Sequence, residues 1–463
     1  MKKTESGFSV DALRRILSER LGEVATLKVA YSGGIDSHTL LHALCQLRTT
    51  TGWKISALHV NHRLQAESDE WAKHCLRVCR DLDVSCVVGR IQVEDRDDKG
   101  LEAAARRLRY AWLAKHVDHG GVLMTAHHLD DQAETILLQL LRGSGVRGLA
   151  AMPIICRFSA GKLMRPLLGF ERSELEAYAK RNSLRWVEDA SNRDVRRSRN
   201  FIRHRVVPML EQHWPQAKHA LVRGGRHAGE AAALLDTIAL EDMESSIAAQ
   251  GGCEVDAVLL VPVLLNLSPE RRRNVLRYWI RQLNLPPPST LHMNQIDDVV
   301  VKSTRSRHAA VAWPGAEVRR YRNQLFAMRR LTDPDPGLKV TWNLRQPIEV
   351  PGTGYVLKCV ESIGNGLSRE RIGKGAITVR LRRGGETCRL PGRSHHHKLK
   401  KLLQEAGVPP WQRQRLPLIF VDDDLAAVAD RWVCAPYAAR HDEPGLQVAL
   451  GKVKIGPEVD PVV

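Results

Sequence analysis

The chain has 463 residues, 43% of them hydrophobic; this excludes a disordered protein and exceeds what one core serves, so two or three domains are expected. Lysine and arginine number 70 against 52 aspartate and glutamate, giving a formal charge of +18, which makes nucleic acid the leading partner class over a small anion. No stretch approaches the roughly 20 apolar residues that span a bilayer, and Met1 to Glu23 lacks a secretory core, so no membrane association and a cytoplasmic location are expected.

A helical pattern over Val10 to Leu21 comes first. Apolar, β-branched runs then alternate with amphipathic segments. Strands are expected at Leu27 to Ser32, Ile55 to Asn61, Cys86 to Val93 and Val122 to Ala126, and helices at Ser37 to Leu47, Glu67 to Asp81, Leu101 to Val117 and Asp130 to Leu141. That alternation predicts an α/β, doubly wound parallel-sheet domain over residues 1–214. From Gln216 to Ile296 the pattern turns helical, with a basic segment at Pro269 to Leu283, and a strand pair (Val318 to Tyr321 and Gln324 to Ala327) flanks a turn at Arg322 and Asn323. Residues 215–334 are read as a mainly helical domain. Beyond a linker at Thr332 to Leu338, residues 335–463 hold short strands (Ile377 to Leu381, Leu418 to Val421, Leu425 to Ala429) around a basic helix, Lys398 to Glu405, and are read as a small α+β domain.

The nine cysteines (Cys45, Cys75, Cys79, Cys86, Cys156, Cys253, Cys359, Cys388, Cys434) are scattered and include no Cys-x-x-Cys pair, which points to reduced, mostly buried thiols. His74, Cys75 and Cys79 could share a helix face, but no second ligand pair follows at zinc spacing. The run His395 to His397 reads as part of a basic loop.

The most specific feature is Ser32-Gly33-Gly34-Ile35-Asp36-Ser37, between an apolar run and a helical pattern. Strand, glycine loop and helix N-terminus make an anion site, because glycines let backbone amides approach phosphate oxygens and the helix dipole favours negative charge. A Walker loop would end in Gly-Lys-Ser/Thr, and this loop has no lysine. It is similar instead to the pyrophosphate loop of the ATP pyrophosphatases, which implies ATP attacked at its α-phosphate and Asp36 holding Mg2+ through a hard carboxylate oxygen. An ordinary strand-to-helix turn capped by Ser37 is the structural alternative.

A second cluster, His127-His128-Leu129-Asp130-Asp131-Gln132-Ala133-Glu134, follows the fourth strand. If the helical register extends back to His127, then His127, Asp131 and Glu134 lie on one face. A capped helix start explains one of these carboxylates less strainedly than three with a histidine. Arg106 is a candidate for neutralising phosphate charge, since a guanidinium binds two oxygens in one plane; a solvated helix arginine is the alternative, with Arg107 and Arg109 beside it.

The loop together with His-x-x-Asp-Asp-Gln-x-Glu-Thr and Arg142-Gly143-Ser144-Gly145 resembles the tRNA(Ile)-lysidine synthetase family. Gly100 to Arg106, Arg165-Pro166-Leu167-Leu168, Asp189-Ala190-Ser191-Asn192, Arg199-Asn200, Lys398 to Leu402 and Gly407 to Trp411 extend the resemblance over nearly the whole chain. It implies adenylation of the wobble cytidine of a tRNA(Ile) with a CAU anticodon, followed by attack of free L-lysine to give lysidine, AMP and pyrophosphate. By motif position Asp131 and Glu134 would bind the lysine ammonium, with His127 near the reacting groups and the general base undecided. A homodimer is compatible with the family, although no interface pattern is visible. Arg196, Arg197, Arg199, Arg203 and Arg205, and the basic residues of the last domain beside Trp411, are candidates for tRNA contact, with Trp411 either a stacking platform or core. A tRNA thiolase with the same loop, or a tRNA-binding protein with a vestigial nucleotide site, are the competing functions; the first would use reactive, often paired cysteines and the second a damaged loop.

Overall fold

A computed structural model describes residues 7–22, 26–63, 65–92, 101–246, 258–303, 309–330 and 334–452. Cys253, Gly100 and the Thr332 end of the expected linker lie outside the described residues. The chain divides into two units, Met1–Ile238 and Ala239–Gly456.

The first unit runs α1 (Val10–Leu21), β1 (Thr26–Ala30), α2 (Ile35–Thr51), β2 (Lys54–Asn61), α3 (Ser68–Asp81), β3 (Ser85–Arg90), α4 (Leu101–Ala114), β4 (Val122–Met124), α5 (Leu129–Leu141), α6 (Val146–Leu149), β5 (Ile155–Phe158), β6 (Gly161–Met164) and α7 (Arg172–Arg181). The strands form one sheet in the order β3-β2-β1-β4-β6-β5, parallel except for β5 at the edge. β1 shows why: Leu27 and Val29 are fully buried on one face, packed with Leu40, Leu41 and Leu44 of α2. On the other face Leu58 and Leu123 pack against Tyr110 and Leu113 of α4. Side chains alternate between two helical layers, as a sheet buried on both sides requires.

From β1 the chain steps outward to β2 and β3, and it returns on the opposite side of β1 as β4 and β6. The carboxyl ends of β1 and β4 are therefore neighbours at the reversal of strand order, where ligands bind in open α/β sheets. The glycine loop leaves β1 there, and the histidine-carboxylate cluster leaves β4. The β5–β6 hairpin was not anticipated from sequence, because strands of four residues carry too little periodicity to register.

A helix, Ala217–Ser246, follows. In the second unit the helices Val261–Asn266, Pro269–Gln282 and Thr290–Gln295 pack on an antiparallel sheet ordered Leu259–Leu260, Gln324–Met328, Ala316–Tyr321 and Ala310–Trp313, around fully buried Trp279, Ile296 and Val318. The expected hairpin is present, with Tyr321 opposite Gln324 and Arg322 at a φ of 55°, and it belongs to this larger sheet. The last part holds a five-stranded antiparallel sheet carrying Ile377–Arg380, Leu418–Val421 and Asp424–Val428, and a four-stranded sheet built on Tyr355–Ile363 paired with Pro444–Lys452. Both sheets feed one core that includes Trp342, Leu357, Val379 and Ile419. Among the described residues no helix is long and apolar enough to cross a membrane.

Candidate active site

The phosphate loop is braced by its own serines. Ser37 Oγ accepts the Ser32 amide hydrogen at 3.2 Å and donates to the Gly34 carbonyl at 3.0 Å, and Ser32 Oγ lies 3.0 Å from Ser37 Oγ while accepting from the Gly34 amide at 3.3 Å. Gly33 has a φ of 86°, a conformation costly for any residue with a Cβ, and a Cβ there would sit 2.9 Å from Cys75 Sγ. The Gly33 carbonyl accepts from the Val187 amide at 3.0 Å, tying the 187–192 segment to the loop. Gly34 is the N-cap of the 17-residue α2 and supplies no side chain to its first amides, so those of Ile35, Asp36 and Ser37 point forward as donors. The Ile35 side chain itself is buried, so this residue offers only its backbone.

The loop opens on a cavity of about 570 Å³. Ser32, Gly34, Asp36, Ser37 and His127 line its polar side together with Asp189, Ser191, Asn192 and Arg197, and Leu58, Val60, Tyr110 and Leu113 line its apolar side. Asp36 Oδ1 is buried with no hydrogen-bond partner. Burial raises the Asp36 carboxyl above the ordinary range, against the pull of His128. A buried carboxylate oxygen without a donor is what a hard divalent cation takes, so the residues present fit magnesium.

The helix that carries the second cluster begins at Leu129, with His128 as N-cap at φ −122°, so the register does not extend back to His127. His127, Asp131 and Glu134 are thus not one helical face. His127 stands in the segment between β4 and α5, its Nδ1 2.9 Å from Thr125 Oγ1, and it faces the cavity. Burial, assisted by Arg165, Arg199 and Arg106, holds its pKa down at about 3 against the opposing charge of Asp131. Asp131 and Glu134 do share a face, but they stand outside the cavity lining. Their oxygens are bonded by two arginines of the 198–213 segment: Arg199 to Asp131 Oδ1 at 3.0 Å and Glu134 Oε2 at 2.9 Å, and Arg203 to Asp131 Oδ1 at 2.9 Å and Glu134 Oε1 at 2.6 Å. Arg106 lies over the Tyr110 ring, 5.1 Å from its centroid, while Arg109 of the same helix is the one that lines the cavity.

A PP-loop domain model matches residues 10–210, a TilS substrate binding domain model residues 259–326, and a TilS substrate C-terminal domain model residues 377–450. Relatives named tRNA(Ile)-lysidine synthase align along nearly their whole length. That of Methylococcus capsulatus is 41% identical over 89% of this chain and 93% of its own, that of Alkalilimnicola ehrlichii 41% over 94% and 95%, and that of Coxiella burnetii 38% over 91% and 92%. The chain belongs to the tRNA(Ile)-lysidine synthase family.

Two residues of the carboxylate cluster escape the sequence reading. His128 is 2% exposed and faces three carboxylates: Nε2 is 3.4 Å from Asp131 Oδ2 and 3.8 Å from Asp36 Oδ2, and Nδ1 is 3.5 Å from Asp130 Oδ2. Burial pushes its pKa down, but Asp131, Asp130 and Asp36 outweigh this and the net shift is upward. Lys218, at the start of Ala217–Ser246, reaches Asp130 Oδ1 at 2.9 Å. The signal for His128 was present, since adjacent residues on extended backbone point to opposite sides and the pair His127-His128 must serve two environments. Nothing in the sequence placed Lys218.

The expected tRNA surface narrows in two places. In the basic run, Arg196 is exposed and paired with Asp194 at 2.9 Å, whereas Arg199 and Arg203, candidates for tRNA contact, turn inward to the carboxylates. The helix makes this possible through an i→i+5 turn at Ile202–Val206, a feature that clusters at functional sites. Trp411 packs edge-on against Phe326 and Tyr321, with ring centroids 5.5 and 6.2 Å away and the Arg319 guanidinium 5.3 Å over its ring, so it is a packed residue, not an open platform.

Proposed function

We infer that the chain ligates L-lysine to the wobble cytidine of the CAU anticodon of tRNA(Ile), consuming ATP and releasing AMP and pyrophosphate, in the bacterial cytoplasm. Family membership supports the reaction, and the observation that carries it is the serine-braced loop opening on the cavity with Asp36 and His127 on its wall. Residues 1–214 are assigned to catalysis, and 215–334 and 335–463 to tRNA binding. A homodimer is the proposed assembly, to be checked by analytical ultracentrifugation.

The cytidine O2 attacks the α-phosphorus, the bond from that phosphorus to the bridging oxygen breaks, and pyrophosphate leaves. The lysine ε-amine then attacks C2, the C2–O bond breaks, and AMP departs with the former carbonyl oxygen. Displacement of the exocyclic carbonyl oxygen by an amine requires this activation, because that oxygen would otherwise have to leave as oxide or hydroxide, a poor leaving group. The amides of Ile35, Asp36 and Ser37 are assigned to the phosphate oxygens, with the serine braces keeping them preorganised. Asp36 is assigned to Mg2+, whose role is to neutralise charge on the triphosphate. Asp131 and Glu134 are assigned to the lysine ammonium, which competes with Arg199 and Arg203 for the same oxygens. A group with a pKa near 3 accepts a proton poorly from an ammonium of about 10.4, which argues that His127 orients the reacting groups and is not the base. Sulfur delivery is disfavoured by the thiol beside the loop: burial pushes Cys75 up to about 12, away from the thiolate.

The test is transfer of labelled lysine to tRNA with ATP, comparing a CAU anticodon with one whose wobble cytidine is replaced. Label appearing only on the former is expected, and equal labelling defeats the assignment.

A further inference from the structure

Lysine is seldom buried without partners, and Lys218 is buried with three. Its side chain is 12% exposed, and Nζ lies 2.9 Å from Asp130 Oδ1, 3.3 Å from Glu171 Oε2 and 3.2 Å from Glu211 Oε1, so each of its three N–H donors has a carboxylate. Asp130 Oδ2 in turn accepts the Arg172 amide hydrogen at 2.9 Å and stands 3.5 Å from His128 Nδ1, an ion-pair contact without a hydrogen bond. Across the ring, Nε2 faces the Oδ2 atoms of Asp131 and Asp36 at 3.4 and 3.8 Å. The chain of contacts ends at an aspartate whose Oδ2 faces this imidazole and whose Oδ1 is buried without a partner.

We propose that Lys218 is a positioning residue for Asp36, acting through Asp130 and His128, and that it selects which Asp36 oxygen is offered to the magnesium of bound ATP. The inference rests on the assignment of magnesium to Asp36 made above. Groups one contact removed from a metal ligand orient it and tune its affinity, although they touch neither metal nor substrate. Without the Lys218 ammonium, Asp130, Glu171 and Glu211 are three carboxylates with no common cation. Asp130 then moves from its neighbours or draws His128 toward itself, and the charge of the imidazole shifts relative to Asp36 Oδ2. Glu171 and Glu211 are not part of the relay; they hold Lys218 at its inner end.

The experiment is calorimetric titration of α,β-methylene ATP, whose bridging carbon blocks turnover, with and without Mg2+. Lys218→Met is expected to weaken binding in Mg2+ by roughly 3- to 30-fold, the range of indirect coupling through packed networks, and to change binding without Mg2+ by less than about twofold. Lys218→Arg is expected to recover most of the loss, and in an Asp36→Ala background Lys218→Met is expected to add nothing further. Equal weakening with and without Mg2+, or an undiminished effect in the Asp36→Ala background, overturns the relay and leaves Lys218 a merely structural ion pair. Should Lys218→Met not fold, as judged by circular dichroism, Asp130→Asn carries the same prediction from the other side, and a magnesium-independent effect there overturns it equally. A wild-type protein that binds the analogue without any response to Mg2+ overturns the Asp36 assignment itself, a result distinct from an intact response that Lys218 does not influence.

Discussion

Replacing Gly33 by alanine tests the phosphate loop at its tightest point. Two separate penalties follow from its geometry. At a φ of 86° a residue with a Cβ is strained by about 1–3 kcal/mol, and the new Cβ would lie 2.9 Å from Cys75 Sγ, an overpacking cost of about 1–3 kcal/mol. Cys75 is fully buried on α3 and cannot swing away, so the loop must give. A combined strain of about 2 kcal/mol or more, expressed at the phosphate site, corresponds to a loss of roughly 30-fold or more in ATP-dependent AMP formation. The Cys75→Ala substitution removes the sulfur but leaves the backbone strain, so the Gly33→Ala/Cys75→Ala double variant is expected to regain the overpacking share alone, on the order of tenfold. AMP release in the presence of tRNA, measured beside the melting temperature, separates loop damage from unfolding. Wild-type activity in Gly33→Ala, or no recovery in the double variant, refutes the assignment of Cys75 as the wall behind the loop.

Glu134→Gln keeps the shape of a side chain that is 1% exposed but leaves Arg199 and Arg203 short of a counter-ion; a loss of about 3 kcal/mol is expected, and a melting temperature within roughly 2 °C of wild type counts against it. His127 and His38 are held by burial near pKa values of about 3 and about 4, below the ordinary 6.5, so the folded protein binds fewer protons than the unfolded chain in that window. Their contribution to stability is therefore present above pH 6.5 and lost as the pH falls toward those values, and a nitrogen NMR titration should find the His127 imidazole neutral from pH 8 to 5; a midpoint near 6.5 contradicts the burial argument. Trp411→Leu removes the π-face while keeping apolar bulk, and tRNA affinity is expected to stay within about twofold; a stacking platform would lose roughly fivefold or more at unchanged melting temperature.

Local signals carried much of this structure. The loop and the helix behind it announce themselves because glycines, serines and an apolar run sit within one turn of each other, and α1 spans the very residues, Val10–Leu21, that its apolar spacing marks. What failed was what depends on distant chain. Tyr355–Ile363 pairs with Pro444–Lys452 across some ninety residues, and no window of sequence contains both strands. The inward turn of Arg199 and Arg203 was misread for the same reason: charge in a sequence reads as surface until its partner is known. Their spacing of four matches the spacing of three between Asp131 and Glu134 on the facing helix, so the pairing had a trace in the sequence, whereas the role of Lys218 had none. At His127 the difference was two residues of helix boundary, enough to move a side chain off the helix face into the segment between strand and helix.

The composition of the carboxylate cluster explains why one oxygen stands open. Asp36, Asp130, Asp131 and Glu134 would repel one another strongly in a buried setting, and a group of like charges persists only where each is answered. Arg199 and Arg203 answer Asp131 and Glu134, with Arg203 bonding both Glu134 oxygens, at 2.6 and 3.0 Å, as only a planar fork can. Lys218 answers Asp130, and His128, its pKa raised by its carboxylate neighbours, stands between Asp130, Asp131 and Asp36. Three carboxylates are thereby bonded on both oxygens or on every side that faces protein. Asp36 is bonded on neither oxygen, touched at 3.8 Å on one and buried without a donor on the other. A cation entering the cavity thus meets, in Asp36 Oδ1, a buried acceptor beside the phosphate loop that no protein donor occupies.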